Sequence, residues 1–362
     1  MNLPAPLQQI PPTGVRFGRR KLSYFAGCDY FRLSSHPAVA RALLAGLRRY
    51  GLNVSASRLT TGNHALYEEL ETLLAEFFGV PSALLVSTGY AANAIAAQGL
   101  QESCSRVLID SQAHSSLLDA GRMFRCPAEF FKHRDPQDLA RILARRPQTG
   151  KTLLLTDGLF GGDGQIAPLA EYLKVLPSRA LILVDDAHGA GVIGQRGRGT
   201  PEFCAVPSAR IIQTITLSKA FGVYGGAILA SGALREQIID NSAMFAASTP
   251  LPLPLACAAK KAIQLLKSGA RARARLQANV HYVKSALKNR CFPVPDTPAP
   301  IISVVPSSQR HAKALRRSLL SQNIFPSYIR YPGGPPQGCF RLVISSEHTR
   351  DQLARLLAAL LG

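Results

Sequence analysis

An apolar run, Leu181-Ile182-Leu183-Val184, and a strand-like run, Ile211–Leu217, each lead into reactive polar residues, and this pair constrains the fold more than any other feature of the chain. A short, continuously apolar stretch rich in β-branched residues is the pattern of a strand buried on both faces, which calls for a parallel sheet covered by helices. The first run ends in Asp185-Asp186-Ala187-His188-Gly189. The second leads through Ser218 to Lys219 and a glycine-rich turn, Phe221-Gly222-Val223-Tyr224-Gly225-Gly226. Two buried strands therefore deliver an acid, an imidazole and an amine to one sheet edge.

That set suits pyridoxal phosphate. Lys219 can hold a carbonyl cofactor as a Schiff base, a carboxylate keeps the pyridine nitrogen protonated, and an imidazole can bond near the ring oxygen. The surrounding sequence agrees with such a fold, because short apolar strands alternate with amphipathic helices over the central part of the chain. Strands are expected at Ala83–Ser87, Arg106–Asp110, Thr152–Asp157, Leu181–Asp185, Ile211–Leu217 and Gly226–Ala230, and helices at Tyr67–Phe78, Ala91–Gly99, Pro136–Ala144 and Leu169–Val175. The class is α/β, with a mostly parallel sheet. Ser248–Pro254, with three prolines, reads as a hinge into a helix over Leu255–Leu266, and a last helix covers Asp351–Leu361. The expected organisation is an amino-terminal arm (1–45), a large α/β domain (46–245) and a smaller α+β domain (246–362).

A chain of 362 residues with 47% hydrophobic content can bury a core of this size. Met1–Pro12 is polar and proline-rich, unlike a signal peptide, and no apolar stretch reaches the roughly 20 residues of a membrane span, so a soluble cytoplasmic protein is expected. Seven cysteines without a CxxC pair read as reduced thiols, and no metal site is expected. The formal charge of +20 attracts polyanions. The basic residues are dispersed, however, and lack an aromatic-interleaved or zinc-finger pattern, so nucleic acid is not the expected partner. A coenzyme A thioester or an acidic carrier protein suits the charge equally well, as do solvated helix faces.

Other candidate residues cluster at strand ends. In Ser87-Thr88-Gly89-Tyr90-Ala91-Ala92-Asn93 a strand runs into a small-residue turn that opens a helix, leaving free amides for a phosphate. Thr216 can add a hydroxyl. His114, past another strand end, can stack on a flat ring. Arg341 lies in the apolar strand Phe340–Ser345 and needs a partner, either a substrate carboxylate or an internal acid. His36, His64, His133, His281, His311 and His348 carry only structural readings, and no GxSxG elbow marks a hydrolase.

Taken together, these residues make the chain from about Leu22 onward resemble the α-oxoamine synthases, a family of pyridoxal-phosphate enzymes. The resemblance is carried by Ser57-Arg58-Leu59 with Gly62, Leu70-Glu71, Ser87–Asn93, His114–Asp119, Asp185–Gly189, Gly191–Gly194, Gly197–Gly199, Ser218–Gly222, Ser248–Pro252 and Arg341-Leu342. It implies a fold-type-I, aspartate-aminotransferase-like homodimer with active sites at the subunit interface. Lys219 would form the imine and later move the proton; Asp185 would pair with the pyridinium nitrogen, His188 with the ring oxygen, and His114 would stack. Amides of Gly89 and Tyr90, the Thr216 hydroxyl, and Thr249 of the partner chain would hold the phosphate, and Arg341 the amino-acid carboxylate. The implied reaction is a decarboxylative condensation of an amino acid such as alanine with an acyl thioester of coenzyme A or an acyl carrier protein.

Departures from the family pattern fall on the substrate side. Cys28 stands for the usual asparagine before Asp29-Tyr30, Tyr67 for a common histidine, Gly161 for a serine, and Val343 for the second arginine of Arg-Leu-Arg. An aminotransferase, aldolase or lyase of the same fold is the alternative reading, and a basic nucleic-acid-binding protein a remote one.

Overall fold

The six runs read as strands between Ala83 and Ala230 all enter one sheet, with ends that agree to within a residue, whereas the strand read at Phe340–Ser345 spans Cys339–Val343 and belongs to another sheet. The computed structural model describes residues 4–145, 150–330 and 334–362. In chain order the elements begin with the antiparallel strands β1 (Gln8–Ile10), β2 (Gly14–Phe17) and β3 (Arg20–Ser23). Helices α1 (Pro37–Tyr50) and α2 (Ala65–Phe78) follow, then β4 (Ser82–Val86), α3 (Gly89–Leu100), β5 (Arg106–Asp110), α4 (Ser115–Gly121), β6 (Ala128–Phe131), α5 (Pro136–Arg145), β7 (Thr152–Asp157), α6 (Leu169–Val175) and β8 (Leu181–Asp185). Next come α7 (Thr200–Phe203), β9 (Ile211–Thr216), β10 (Gly226–Ala230), α8 (Gly232–Asn241), α9 (Ala243–Ala247) and α10 (Leu253–Lys267). The chain closes with α11 (Ala270–Lys288), β11 (Ile301–Val304), α12 (Gln309–Ser321), β12 (Tyr328–Ile329), β13 (Cys339–Val343) and α13 (Arg350–Leu361).

Residues 36–160 and 166–268 form one unit, built on the seven-stranded sheet β4-β10-β9-β8-β7-β5-β6. β10 runs antiparallel to both its neighbours, and the other pairings are parallel. Successive residues of β8 serve opposite cores. Leu183 packs with Ile95, Leu117, Ile109 and Leu155, whereas Ile182 and Val184 pack with Leu108, Leu154, Leu139 and Tyr172. This two-sided burial is why the strand is apolar at every position up to its end. β6 and α1 were not expected from the sequence. β6 is short, its burial alternates weakly, and Phe130 on it is exposed.

Residues 1–35, 161–165 and 269–362 form the other unit, with the β1-β2-β3 meander and an antiparallel β11-β13-β12 sheet. The boundary expected at 246 falls after Ser268, because α10 packs on α1 and α2. α10 also starts earlier than expected, at Leu253, since a proline such as Pro254 is tolerated in a first turn where its missing N–H has no helical partner. His36 and His64 serve as N-caps of α1 and α2, each ring accepting a backbone N–H. No helix among the described residues is long and apolar enough to cross a membrane. Each of the seven cysteines is a free thiol.

Candidate active site

In open α/β sheets ligands collect at the carboxyl ends of the strands, and β8 and β9 end in Asp185 and Thr216, side by side. Beyond β9 the backbone turns back through Gly222 and Gly225 and places Lys219 Nζ 2.8 Å from His188 Nε2. The amine and imidazole read from two separate sequence motifs thus meet directly.

The two acids at the end of β8 part company. Asp186 turns into the protein, where its oxygens accept from the Thr200 N–H (2.8 Å), the Thr200 hydroxyl (2.6 Å) and Gln213 Nε2 (2.7 Å). Burial pushes its carboxyl up to about 7, against the pull of those hydrogen bonds. Asp185 faces the other way. Its Oδ1 accepts from the Ala187 N–H at 3.1 Å, and its Oδ2 from Asn93 Nδ2 at 2.6 Å and Ser116 Oγ at 3.2 Å. All of these donors are neutral amides and a hydroxyl, and together they fix the orientation of the carboxyl group.

Asn93 and Ser116 were quoted in the sequence motifs but given no role there. Asn93 is fully buried on α3, with Oδ1 accepting from Thr214 Oγ1 at 2.6 Å. The signal available in the sequence was an amide set among the alanines of a mostly apolar helix, since a buried amide needs partners. Ser116 Oγ lies 2.7 Å from His114 Nδ1 and joins the ring to the same network. Burial lowers the His114 imidazole, and nearby Lys219 adds to that while Asp185 opposes it.

A third carboxyl, Asp157, was read from the sequence as a strand end and given no role there. It ends β7 in register with Asp185 and accepts the His114 backbone N–H at 2.8 Å. Burial raises it well above the ordinary carboxyl range, and the Asp185 charge raises it further. The sheet edge therefore carries, beside Asp185, a carboxyl whose titration is displaced by its surroundings, as is common at catalytic sites.

Thr88 caps α3, its hydroxyl accepting the Ala91 N–H at 3.0 Å, and leaves the first-turn amides of Gly89 and Tyr90 at the helix end. A Cβ on residue 89 would stand 2.7 Å from Thr216 Cβ, so glycine is required for β9 and the start of α3 to approach. The Tyr90 hydroxyl donates to Asp119. Thr249 lies exposed between α9 and α10. Tyr67 donates from its hydroxyl to Leu251 O at 2.6 Å and so ties down the segment carrying Thr249; burial pushes this phenol up to about 12.

In the other unit, Arg341 on β13 has no carboxylate partner among the described residues. Its Nε donates to Gly161 O, and both Nη atoms lie 3.5 Å from Cys28 Sγ.

This donor set fits pyridoxal phosphate: an amine against an imidazole, an oriented carboxylate, and a glycine-lined helix start beside a threonine. The comparisons with known proteins agree. A family model described as aminotransferase class I and II matches residues 28–360. The chain is 36% identical over 353 residues to the 8-amino-7-oxononanoate synthase of Thioalkalivibrio sulfidiphilus, covering 96% of this chain and 90% of that one. To the enzyme of the same name from Pseudomonas paraeruginosa it is 36% identical over 357 residues, covering 98% and 88%. Among solved structures, serine palmitoyltransferase from S. paucimobilis superposes with a TM-score of 0.91 at 26% identity, covering 97% of this chain and 89% of that one. The 8-amino-7-oxononanoate synthase of Francisella tularensis superposes with a TM-score of 0.80 at 26% identity, covering 93% and 96%. The chain belongs to the aminotransferase class I and II family, in its α-oxoamine synthase branch.

Proposed function

We propose that this chain is a pyridoxal-phosphate-dependent acyltransferase that joins alanine to an acyl thioester with loss of carbon dioxide, as an 8-amino-7-oxononanoate synthase of biotin synthesis. The observation that carries this reading is the 2.8 Å contact of Lys219 Nζ with His188 Nε2 on the sheet edge that also presents Asp185. The similar serine palmitoyltransferase structure has the cofactor bound. Bound here, the cofactor would supply an electron sink for negative charge at the amino acid's α-carbon.

The protein's own groups then have definite tasks. Lys219 holds the cofactor carbonyl and, once freed by the incoming amino acid, moves the proton at the α-carbon. Asp185 keeps the proton on the pyridine nitrogen, His188 bonds the ring oxygen, and His114 lies against the ring. The amides of Gly89 and Tyr90, the Thr216 hydroxyl and Thr249 of a second copy take the phosphate. Arg341 takes the amino-acid carboxylate. The product name of the relatives supports a seven-carbon ω-carboxyacyl thioester by carbon count, since decarboxylated alanine supplies the carbon bearing nitrogen and its methyl and the acyl group supplies the rest. A cytoplasmic homodimer belongs to the same reading.

The test is absorbance and product analysis of the purified protein and its Lys219→Ala variant. The expected result is a visible cofactor band lost in the variant, with aminoketone, carbon dioxide and free thiol formed in equal amounts when alanine and thioester are both present. Formation of a free α-keto acid from the amino acid without thioester would overturn the acyltransferase reading in favour of transamination.

A further inference from the structure

Cys28 sits where the family pattern has asparagine, and its sulfur lies 3.5 Å from both Nη1 and Nη2 of Arg341. Equal distances put the sulfur end-on to the guanidinium fork, at the edge where a carboxylate would take two parallel N–H bonds. Backbone pairing fixes this placement. The Val343 N–H donates to Phe25 O and the Ser346 N–H to Tyr30 O, both at 2.9 Å, so residues 25–30 run beside β13 and its extension. The guanidinium is held from behind by the Gly161 carbonyl at Nε.

The charged and titratable groups around the sulfur are Arg341, Arg32 and Tyr30, with Cys339 near Arg341 and Glu347 near Arg32. Asp29, next in sequence, accepts the N–H groups of Leu33 (2.9 Å) and Ser34 (3.1 Å). The Arg341 guanidinium in contact with this half-buried sulfur favours the thiolate, Arg32 adds to that electrostatically, and the Tyr30 side chain is hydrogen-bonded to the sulfur. The Tyr30 phenol is pushed up by burial and further by a negative sulfur, so it remains a neutral neighbour.

We infer that the ionised Cys28 sulfur and the carboxylate of an amino-acid substrate are alternative occupants of the same edge of Arg341, which makes Cys28 a positioning residue that sets amino-acid affinity. This rests on the reading of Arg341 given above. An entering carboxylate requires the sulfur to take up a proton or move off the fork; taking up the proton becomes harder as pH rises, and moving an ionised sulfur aside carries a fixed cost. Asparagine, which does not titrate, would impose no such dependence.

Two measurements on the purified holoprotein test this. The first is the pH profile of iodoacetamide alkylation at Cys28, followed by peptide mass spectrometry with exposed Cys291 as internal reference. The expected midpoint lies below that of Cys291 by about one pH unit or more and returns toward it in Arg341→Gln. The second is the alanine dissociation constant against pH in the wild type, Cys28→Ala and Cys28→Asn. Alanine should bind up to about tenfold more weakly per pH unit above the Cys28 midpoint in the wild type, with that component absent from both variants. An identical alkylation midpoint with and without the arginine overturns the inference. So does an identical pH dependence of alanine binding in all three proteins; if Arg341→Gln still shifts the thiol in that case, it is the carboxylate role of Arg341 that has failed while the thiol–guanidinium pair stands.

Discussion

Asn93 Nδ2 donates to Asp185 Oδ2 across 2.6 Å, joining a buried amide on α3 to the carboxylate that ends β8. The amide cannot turn away, because its own oxygen accepts the Thr214 hydroxyl at 2.6 Å. Asn93→Ala leaves Asp185 with one donor fewer on Oδ2 and takes from the Thr214 hydroxyl its 2.6 Å acceptor, leaving it only the longer bond to Val184 O at 3.3 Å; loss of a buried partner costs about 1–3 kcal/mol. The expected outcome is a cofactor dissociation constant raised about tenfold or more, read by titrating the apoprotein with pyridoxal phosphate and following absorbance. Unchanged affinity would remove Asn93 from the positioning of Asp185.

Asp157 offers a pH test. Its carboxyl is raised in the folded protein by burial first and by Asp185 second. A raised carboxyl binds a proton that the unfolded chain releases near pH 4, so its contribution to stability is complete below that range and is lost as pH rises through the folded value. Asp157→Asn mimics the protonated form and removes the loss. Chemical denaturation across pH 4 to 9 should show the variant gaining on the wild type as pH increases; parallel curves would contradict a protonated Asp157.

His348 predicts the opposite slope. Its Nδ1 accepts the Ser345 N–H at 2.9 Å, its Nε2 faces Tyr24 O at 3.1 Å, and its ring stacks on Phe25. That arrangement needs the neutral imidazole, and burial, with help from Arg32, lowers the group to about 3. The stability it contributes is complete above the ordinary histidine range and is lost as pH falls, by up to about 1.4 kcal/mol per unit below 6.5. His348→Gln keeps one acceptor and one donor without the titration. Its melting temperature should fall less than the wild type's between pH 7 and 5, and an equal fall would place the acid sensitivity elsewhere.

Gly89→Ala tests the approach of α3 to β9. The added methyl would meet Thr216 Cβ at 2.7 Å and must push either the helix start or the strand end aside. Overpacking of this kind costs about 1–3 kcal/mol, and the displaced amides are those assigned to the phosphate. Both a lower melting temperature and weaker pyridoxal phosphate binding are expected. A stability loss with unaltered cofactor affinity would take the Gly89 amide out of the site.

Much of this protein was legible in its sequence. The strands of the large sheet could be read because burial on both faces keeps them mostly apolar until their ends, the interior Gln213 and Thr214 of β9 being hydrogen-bonded exceptions, and the polar residues at those ends mark the site. Lys219, His188 and Asp185 stood out for that reason. β6 escaped because a short edge strand with exposed residues has neither full apolarity nor clean alternation. α1 escaped because its start depends on a histidine cap, which is weaker as a signal than serine or aspartate.

What the tertiary structure alone decided is which polar groups meet. Asp185 and Asp186 are neighbours that composition and periodicity do not tell apart, and the family resemblance alone singled out Asp185; in the fold one is aimed at Asn93 and Ser116 and the other is consumed by Thr200 and Gln213. Asp157 acquired its character only by ending β7 in register with Asp185. Cys28 and Arg341, far apart along the chain, became a pair because backbone hydrogen bonds lay one segment beside the other. Periodicity and composition act locally and so fix elements and their buried faces; the protonation and orientation of a group depend on neighbours that only chain folding brings within a few ångströms.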